Sequence, residues 1–309
     1  MELKIISGKI SRALKVVIYG SEGIGKSTLA SRFPDPLFID TEGGTAHMDV
    51  RRIQKPTTWP ELLADVQEVA KTDGICKTLV IDTADWAEQL CIDYVCTQYK
   101  QKSIESFGYG KGYTYLGEEF ARLLSALDDV IASGKHVVVT AHAKMRKFEQ
   151  PDEMGAYDRW EMKLSRQVAP LLKEWCDLLL FMNYKTYIVT SENNTQKAQG
   201  GKRVMYTTHH PCWDAKNRQG LPEELDASFD GIAHLFAADP KKVTVLDTIH
   251  ELMDRDGITE EEICVVAGQR KKAPEGLTQL SDLDPALLAD WIIKYWQKIV
   301  DAVKENRLY

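Results

Sequence analysis

Gly20-Ser21-Glu22-Gly23-Ile24-Gly25-Lys26-Ser27 decides the reading of this chain, because it matches the pattern G-x-x-x-x-G-K-[ST] at every fixed position. Its context matters as much as the match. Lys15-Val16-Val17-Ile18-Tyr19 reads as a buried strand running into it, and Ser27 to Arg32 reads as the start of a helix running out. A strand, a glycine-rich turn and a helix start form a phosphate-binding loop. Glycines let backbone N–H groups curl around phosphate oxygens, and the helix start adds positive potential. The residues expected to hold the phosphates are Gly20, Ser21, Glu22, Gly23, Ile24, Gly25, Lys26, Ser27 and Thr28. Lys26 is expected to reach the β- and γ-phosphates and the Ser27 hydroxyl to ligate Mg²⁺, so the expected cofactors are ATP and Mg²⁺. Nothing in the sequence specifies the base.

Outward from this loop, short apolar runs alternate with amphipathic stretches. Leu37-Phe38-Ile39-Asp40, Thr78-Leu79-Val80-Ile81-Asp82, His136-Val137-Val138-Val139-Thr140 and Leu178-Leu179-Leu180-Phe181-Met182 read as four more strands, with a helix over Trp59 to Ala70 between two of them. Continuous apolar strands separated by helices predict a mostly parallel sheet covered on both faces, an α/β doubly wound core. The texture changes near Asp239-Pro240. Val243 to Arg255 predicts a helix closed by Gly257, Thr259 and Glu262 form a capping-box pattern, and Asp284-Pro285 is placed to open a last helix. Residues 1–238 are therefore expected to form the α/β core and 239–309 a small helical domain.

Composition narrows the class. The 309 residues are 44% hydrophobic and 28% charged with a net charge of −7, which argues against coating nucleic acid by bulk charge and leaves room for a local basic groove. No apolar run reaches the roughly 18 residues a membrane span needs. Residues 1–9 lack an apolar stretch with a small-residue cleavage site, so a cytosolic protein is expected. The six cysteines contain no CxxC pair. His209, His210 and Cys212 lie close together without a second ligand pair nearby.

Two carboxylates stand where the chemistry of the loop needs them. Asp82 ends an apolar strand, the place for an acid in the Mg²⁺ shell. Glu42, just past the second strand in Phe38-Ile39-Asp40-Thr41-Glu42-Gly43-Gly44, can orient and deprotonate an attacking water. A base after the strand that follows the phosphate loop resembles the RecA-like ATPases rather than the AAA+ group, whose Glu adjoins the strand-end Asp. The resemblance runs on in chain order. Asp82 matches the strand-end acid, and His142 in Val139-Thr140-Ala141-His142 falls where these proteins keep a polar γ-phosphate sensor, a position that is Gln in RecA itself. Ala215-Lys216-Asn217-Arg218-Gln219-Gly220 is similar to the Lys-Asn-Arg motif of bacterial RadA, whose basic pair reaches the nucleotide of a neighbouring subunit. Together with the helical tail, the chain resembles phage-encoded RecA-like ATPases of the Sak-type single-strand annealing group.

That resemblance implies a RecA-like fold, a homo-oligomer with active sites at subunit interfaces, catalytic roles for Glu42, Lys26, His142, Lys216 and Arg218, and single-stranded DNA as partner. It also implies two DNA-facing loops. The first corresponds to Phe107-Gly108-Tyr109-Gly110-Lys111-Gly112-Tyr113, whose Tyr109, Lys111 and Tyr113 suit base stacking and phosphate contact. The second corresponds to Lys144 through Lys163, with Lys144, Arg146 and Lys147 as its basic cluster. The helical tail is a candidate site for a single-strand-binding protein; no membrane is expected. Two other readings stay open: a small-molecule kinase, which predicts an acceptor pocket and an Arg-rich lid, and a scaffold whose partner binding is gated by nucleotide.

Overall fold

Alternate residues of each apolar run go to opposite faces of one sheet, and this sorts the core into two layers. Val17 and Tyr19 pack with Leu37, Ile39, Leu79, Ile81, Val137, Val139 and Phe181 on one face. Val16 and Ile18 pack with Phe38, Val80, Val138, Leu180 and Met182 on the other. A strand buried on both faces has no polar side to expose, which is why these runs are continuous rather than alternating. Each fully buried Leu, Ile or Val stabilises the fold by about 1.5–3 kcal/mol.

This computed structural model describes residues 12–149, 155–190, 196–236, 245–274, 276–283 and 287–307. They form two compact units, one within Arg12–Pro240 and one within Lys241–Tyr309. The larger unit contains β1 (Lys15–Gly20), α1 (Lys26–Ala30), β2 (Pro36–Asp40), β3 (Arg51–Ile53), α2 (Trp59–Lys71), β4 (Thr78–Asp82), α3 (Ala84–Gln98), α4 (Lys111–Ala132), β5 (His136–Glu149), β6 (Ala156–Met162), α5 (Val168–Trp175), β7 (Leu178–Thr190), β8 (Gln196–Tyr206), β9 (Lys216–Asn217) and β10 (Glu224–Asp226). The sheet order is β10-β8-β7-β1-β5-β4-β2-β3, with β6 beside β5 and β9 beside β7. The six strands from β7 to β3 are parallel, and β6, β8, β9 and β10 are antiparallel additions. The fold is thus a mostly parallel sheet flanked by helices, as the alternation of apolar runs and helices predicts.

Two strands run well past their apolar cores. β5 continues beyond His142 to Glu149 and turns back as β6, and β7 continues to Thr190 and pairs with β8. The predicted loop at Lys144 through Lys163 is therefore largely an antiparallel hairpin. Lys144, Arg146 and Lys147 put charge on both faces of the β5 extension, so the sequence offers no clear period of two there.

In the smaller unit the helix predicted from Val243 is α6 (Val245–Asp256) among the described residues and ends at Gly257 with φ 64°. α7 (Glu260–Gln269) begins with both arms of the capping box between Thr259 and Glu262. Asp284 and Pro285 lie outside the described residues. The last predicted helix is divided into a π-helical turn, Leu288–Ile293, and α8 (Trp296–Asn306). Tyr295 leaves helical geometry at φ −115°, while Leu288, Ile292, Trp296 and Ile299 stay in the unit's core. No helix among the described residues is long and apolar enough to cross a membrane.

Candidate functional site

The register of the parallel strands gathers the candidate residues at one edge. Gly20 lies opposite His142, and Asp40 opposite Asp82; Gly20, Asp40 and Asp82 end their strands, and His142 stands level with Gly20 partway along the longer β5. Because β5 sits between β1 and β4, the phosphate loop and Asp82 flank the strand that carries His142. Gly20 cannot be larger: a Cβ there would lie 2.4 Å from the Met182 carbonyl oxygen of β7. Gly25 precedes α1 at φ 106°, the left-handed region that side chains avoid. Ile24, fully buried in the second core layer, pins the loop between them.

Within the loop, Lys26 is buried and its Nζ donates to the carbonyls of Gly20 at 3.2 Å and Ser21 at 3.0 Å. Burial pulls its pKa down, against the opposing fields of Asp82, Asp85, Glu42 and Glu22. An ammonium held on two carbonyl oxygens beside four acids can be transferred to an anion that enters the loop. Ser21 Oγ is buried without a partner among the described residues. Gly23 and Thr28 are exposed, Ser27 is half-buried, and the exposed Glu22 lies 3.6 Å from Lys163 Nζ. Asp82 is buried and accepts a hydrogen bond from Thr140 Oγ1. The Ser27 hydroxyl and Asp82 carboxylate are hard oxygen donors of the kind Mg²⁺ prefers.

Glu42 is placed by its neighbours in sequence. The Asp40 carboxylate accepts from the N–H groups of Gly43 at 2.6 Å, Gly44 at 3.2 Å and Thr45 at 2.9 Å, closing the turn on which Glu42 stands. Thr41 and Glu42 both donate their N–H to the Asp82 carbonyl, at 2.9 and 3.3 Å. Lys55 Nζ holds the Glu42 carbonyl at 2.8 Å. The carboxylate itself stays 36% exposed, 4.0 Å from His142 Nε2. Burial raises its pKa, Asp82 and Asp85 raise it further, and His142 and Lys26 oppose them.

Asp85, which the sequence reading passed over, completes the cluster. From the first turn of α3 it accepts the His142 backbone N–H at 3.0 Å and pairs with His142 Nδ1 at 2.8 Å. Its pKa is lowered: burial pushes upward, and the hydrogen bonds from His142 more than offset it. With Nδ1 committed to Asp85, Nε2 is the nitrogen left toward Glu42. The available signal was an acid three residues past Asp82 at a helix start, but its partner is 57 residues away.

Lys216 and Arg218 do not join this group. Lys216 pairs across from Leu179, near the opposite edge of the sheet, and its Nζ donates to the carbonyls of Lys173, Glu174 and Cys176 at 2.9, 3.0 and 2.6 Å. These are orphan carbonyls at the end of α5, so within its own chain Lys216 is a helix cap. Arg218 is 60% exposed and lies 3.7 Å from Asp177. Lys216→Ala is expected to destabilise the core by about 1.5–3 kcal/mol, the usual worth of hydrogen bonds to a charged group, read by denaturant unfolding. An unchanged midpoint would contradict the capping role.

The DNA candidates are also redistributed. Tyr109 is fully exposed at φ 49°, and Lys111 is exposed at the start of α4. Tyr113 is instead half-buried on α4 with its hydroxyl donating to Glu105, and Phe107 packs against Tyr99 and Tyr115. On the hairpin, Lys144 Nζ donates to Leu164 O at 2.9 Å, Arg146 lies 3.5 Å from Glu161, and Lys147 is exposed. Tyr109, Lys111 and Lys147 are thus open to a ligand, while Tyr113, Lys144 and Arg146 have partners within the protein. His209 lies 3.5 Å from Asp214, and His210 Nδ1 accepts from the Cys212 N–H. Among the described residues no group of three or more His, Cys, Asp or Glu is arranged to hold a metal.

A SPbeta prophage-derived uncharacterized protein, YorG of Bacillus subtilis (strain 168), is 26% identical over 149 residues, 45% of this chain and 42% of that protein. The chain therefore spans less than half the length of that relative. Among solved structures, a KaiC-like protein of Pyrococcus horikoshii OT3 aligns with 69% of this chain and 83% of its own at 13% identity, with a TM-score of 0.38. The flagellar accessory protein FlaH of Methanocaldococcus jannaschii aligns with 64% and 79% at 12% identity, with a TM-score of 0.33. At those scores the superpositions are loose, and the fold assignment rests on strand order and register. The family description does not decide where a catalytic base sits; the residue beside Asp82 is Thr83, not an acid. The model of the AAA domain matches residues 12–219, about two thirds of the sequence and the whole phosphate-loop site, and the chain belongs to that family of P-loop ATPases.

Proposed function

We propose that this protein hydrolyses ATP with Mg²⁺ and acts on single-stranded DNA in phage recombination or annealing. The observation that carries the reading is the continuity of β5. The strand passes His142 at the nucleotide edge and runs on into the hairpin bearing Lys147, and Lys163 closes that hairpin by donating its N–H to His142 O at 2.7 Å. DNA bound at the hairpin and a phosphate beside His142 would therefore act on one rigid element. The prophage origin of a relative supports the biological setting.

The chain's own residues then divide the work. The loop N–H groups and Lys26 bind the phosphates, while Ser27 and Asp82 hold the metal, which supplies charge neutralisation when bound. Asp85 fixes the His142 tautomer. Glu42, with its raised pKa, orients water and accepts its proton. Lys216 and Arg218 face away from their own site, so their proposed role is in trans at a subunit interface, and the helical unit is the proposed contact for a single-strand-binding protein.

Hydrolysis is tested with Mg²⁺, with and without single-stranded DNA, alongside Glu42→Ala. Stimulation by DNA that disappears in Glu42→Ala is the expected result. Turnover indifferent to DNA would overturn the recombination reading and favour a small-molecule or protein substrate, and negligible turnover with retained ATP binding would favour a nucleotide-gated scaffold. For the trans role, Arg218→Ala is the cleaner variant, since its side chain is not a helix cap; it is expected to reduce DNA-stimulated turnover and leave ATP affinity unchanged.

A further inference from the structure

The β7–β8 hairpin brings a cation to the phosphate loop from the side opposite the catalytic cluster. Arg203 lies on β8, and a Cβ added at Gly25 would meet its Nη1 at 3.1 Å. The same nitrogen donates to the Ile24 carbonyl over a long 3.4 Å. Its sequence neighbour Lys202 is committed elsewhere, to Asp226 at 2.5 Å. Alternation along the strand thus splits the Lys202-Arg203 pair: one cation faces a carboxylate, and the other lies over the loop. Among the described residues no carboxylate is within ion-pair distance of Arg203, and its weak hold on one carbonyl leaves the guanidinium available.

Beside Arg203 a cavity of about 430 Å³ opens, lined by Gly25, Thr28, Arg32, Ser228 and Phe229 among others. That volume lies within the roughly 300–1,000 Å³ range of small-molecule sites. Sheet order explains its position. β1 has β5 on one flank and β7 on the other. Glu42, Asp82 and His142 all stand on the β5 side, so the reacting end of a bound nucleotide points there, and the remainder leaves the loop on the β7–β8 side. The cavity lies where that remainder emerges. Phe229 is half-buried, its ring 4.9 Å from that of Phe33, and lines the wall.

The geometry points to this cavity as the nucleoside subsite, with the base packed against Phe229 and Arg203 on the phosphate nearest the ribose. The inference rests on the nucleotide-binding reading above and adds a cis arginine to it, since a planar guanidinium suits phosphate oxygens better than an ammonium does.

The test is calorimetric binding of MgATP and of inorganic tripolyphosphate, which has the phosphates without the nucleoside, to the wild-type chain, Arg203→Ala, Arg203→Lys and Ser228→Leu. Arg203→Ala is expected to weaken both ligands about 10- to 100-fold, with Arg203→Lys recovering part of the loss. Ser228→Leu, which narrows the cavity, is expected to weaken ATP about tenfold and leave tripolyphosphate within about twofold. ATP affinity unchanged in both Arg203→Ala and Ser228→Leu would overturn the subsite, as would equal losses of ATP and tripolyphosphate in Ser228→Leu. A wild-type chain that binds neither ligand would instead overturn the nucleotide-binding reading itself.

Discussion

Glu42→Gln is expected to cut ATP hydrolysis about 100- to 10,000-fold, the range a positioned general base contributes, while leaving ATP affinity and the fold intact. The carboxylate is only 36% exposed and 4.0 Å from His142 Nε2, and its turn is held by Asp40 and by the Asp82 carbonyl, so the amide fits the same space. The pKa direction extends the expectation to pH. Glu42 is raised above the ordinary value of 4.5, mainly by burial. As a base it works only when ionised, so turnover is expected to fall with pH through a midpoint above that value. For stability, a raised carboxylate pKa penalises the folded state once pH exceeds the unfolded value, and the penalty is absent below it. At pH 7 Glu42→Gln is therefore expected to keep or raise the thermal midpoint. Asp85 has the opposite sign. Its pKa is lowered, so its contribution is present above the unfolded value and is lost as pH falls through the folded one. Steady-state hydrolysis from about pH 4 to 8 and thermal melts from about pH 2 to 8 check both. Hydrolysis by Glu42→Gln within about tenfold of wild type would remove Glu42 as the base.

Lys26→Met is expected to weaken ATP binding on the order of 100-fold or more, because it deletes the one buried ammonium of the loop and its charge-assisted bonds to phosphate. Without nucleotide the effect on stability is small. Burial lowers the Lys26 pKa, so the charged form costs the fold at neutral pH, and that cost is relieved only as pH rises through the folded value. Against this stands the loss of two bonds to Gly20 O and Ser21 O. The two terms oppose each other, and the apo midpoint is expected to move by no more than about 5 °C. Equilibrium binding of a fluorescent ATP analogue and an apo melt separate the two quantities. Undiminished binding would show that the loop backbone alone carries the nucleotide.

Both substitutions target groups whose ionised form the fold disfavours. Lys26 and Glu42 are each held against burial by the opposite charges around them. The arrangement suits a site that must receive a polyanion: the cation is held loosely on carbonyls, and the acids keep it charged.

The amino-acid sequence by itself determined the features that arise from neighbours in the chain. The Gly20–Ser27 pattern between a strand and a helix, the five apolar runs sorted by a period of two, and the Thr259–Glu262 cap all depend on residues within a few positions of one another. Glu42 and Asp82 were legible because strand ends of a parallel sheet share one edge. Tertiary structure alone decided the rest. Asp85 meets His142 only because α3 packs along β5, and Arg203 reaches Gly25 only because β7 pairs with β1 on one side and holds β8 on the other. Lys216, read as a basic motif, became the cap of α5 because β9 pairs with the start of β7. The Lys144–Glu149 strand was hidden because charged residues stand on both of its faces, and its apolar contacts, with Trp160 and Met162 of the partner strand reaching the core, come from a separate stretch of chain. Pairing across long stretches of chain follows from which surfaces are covered, and no local pattern records it.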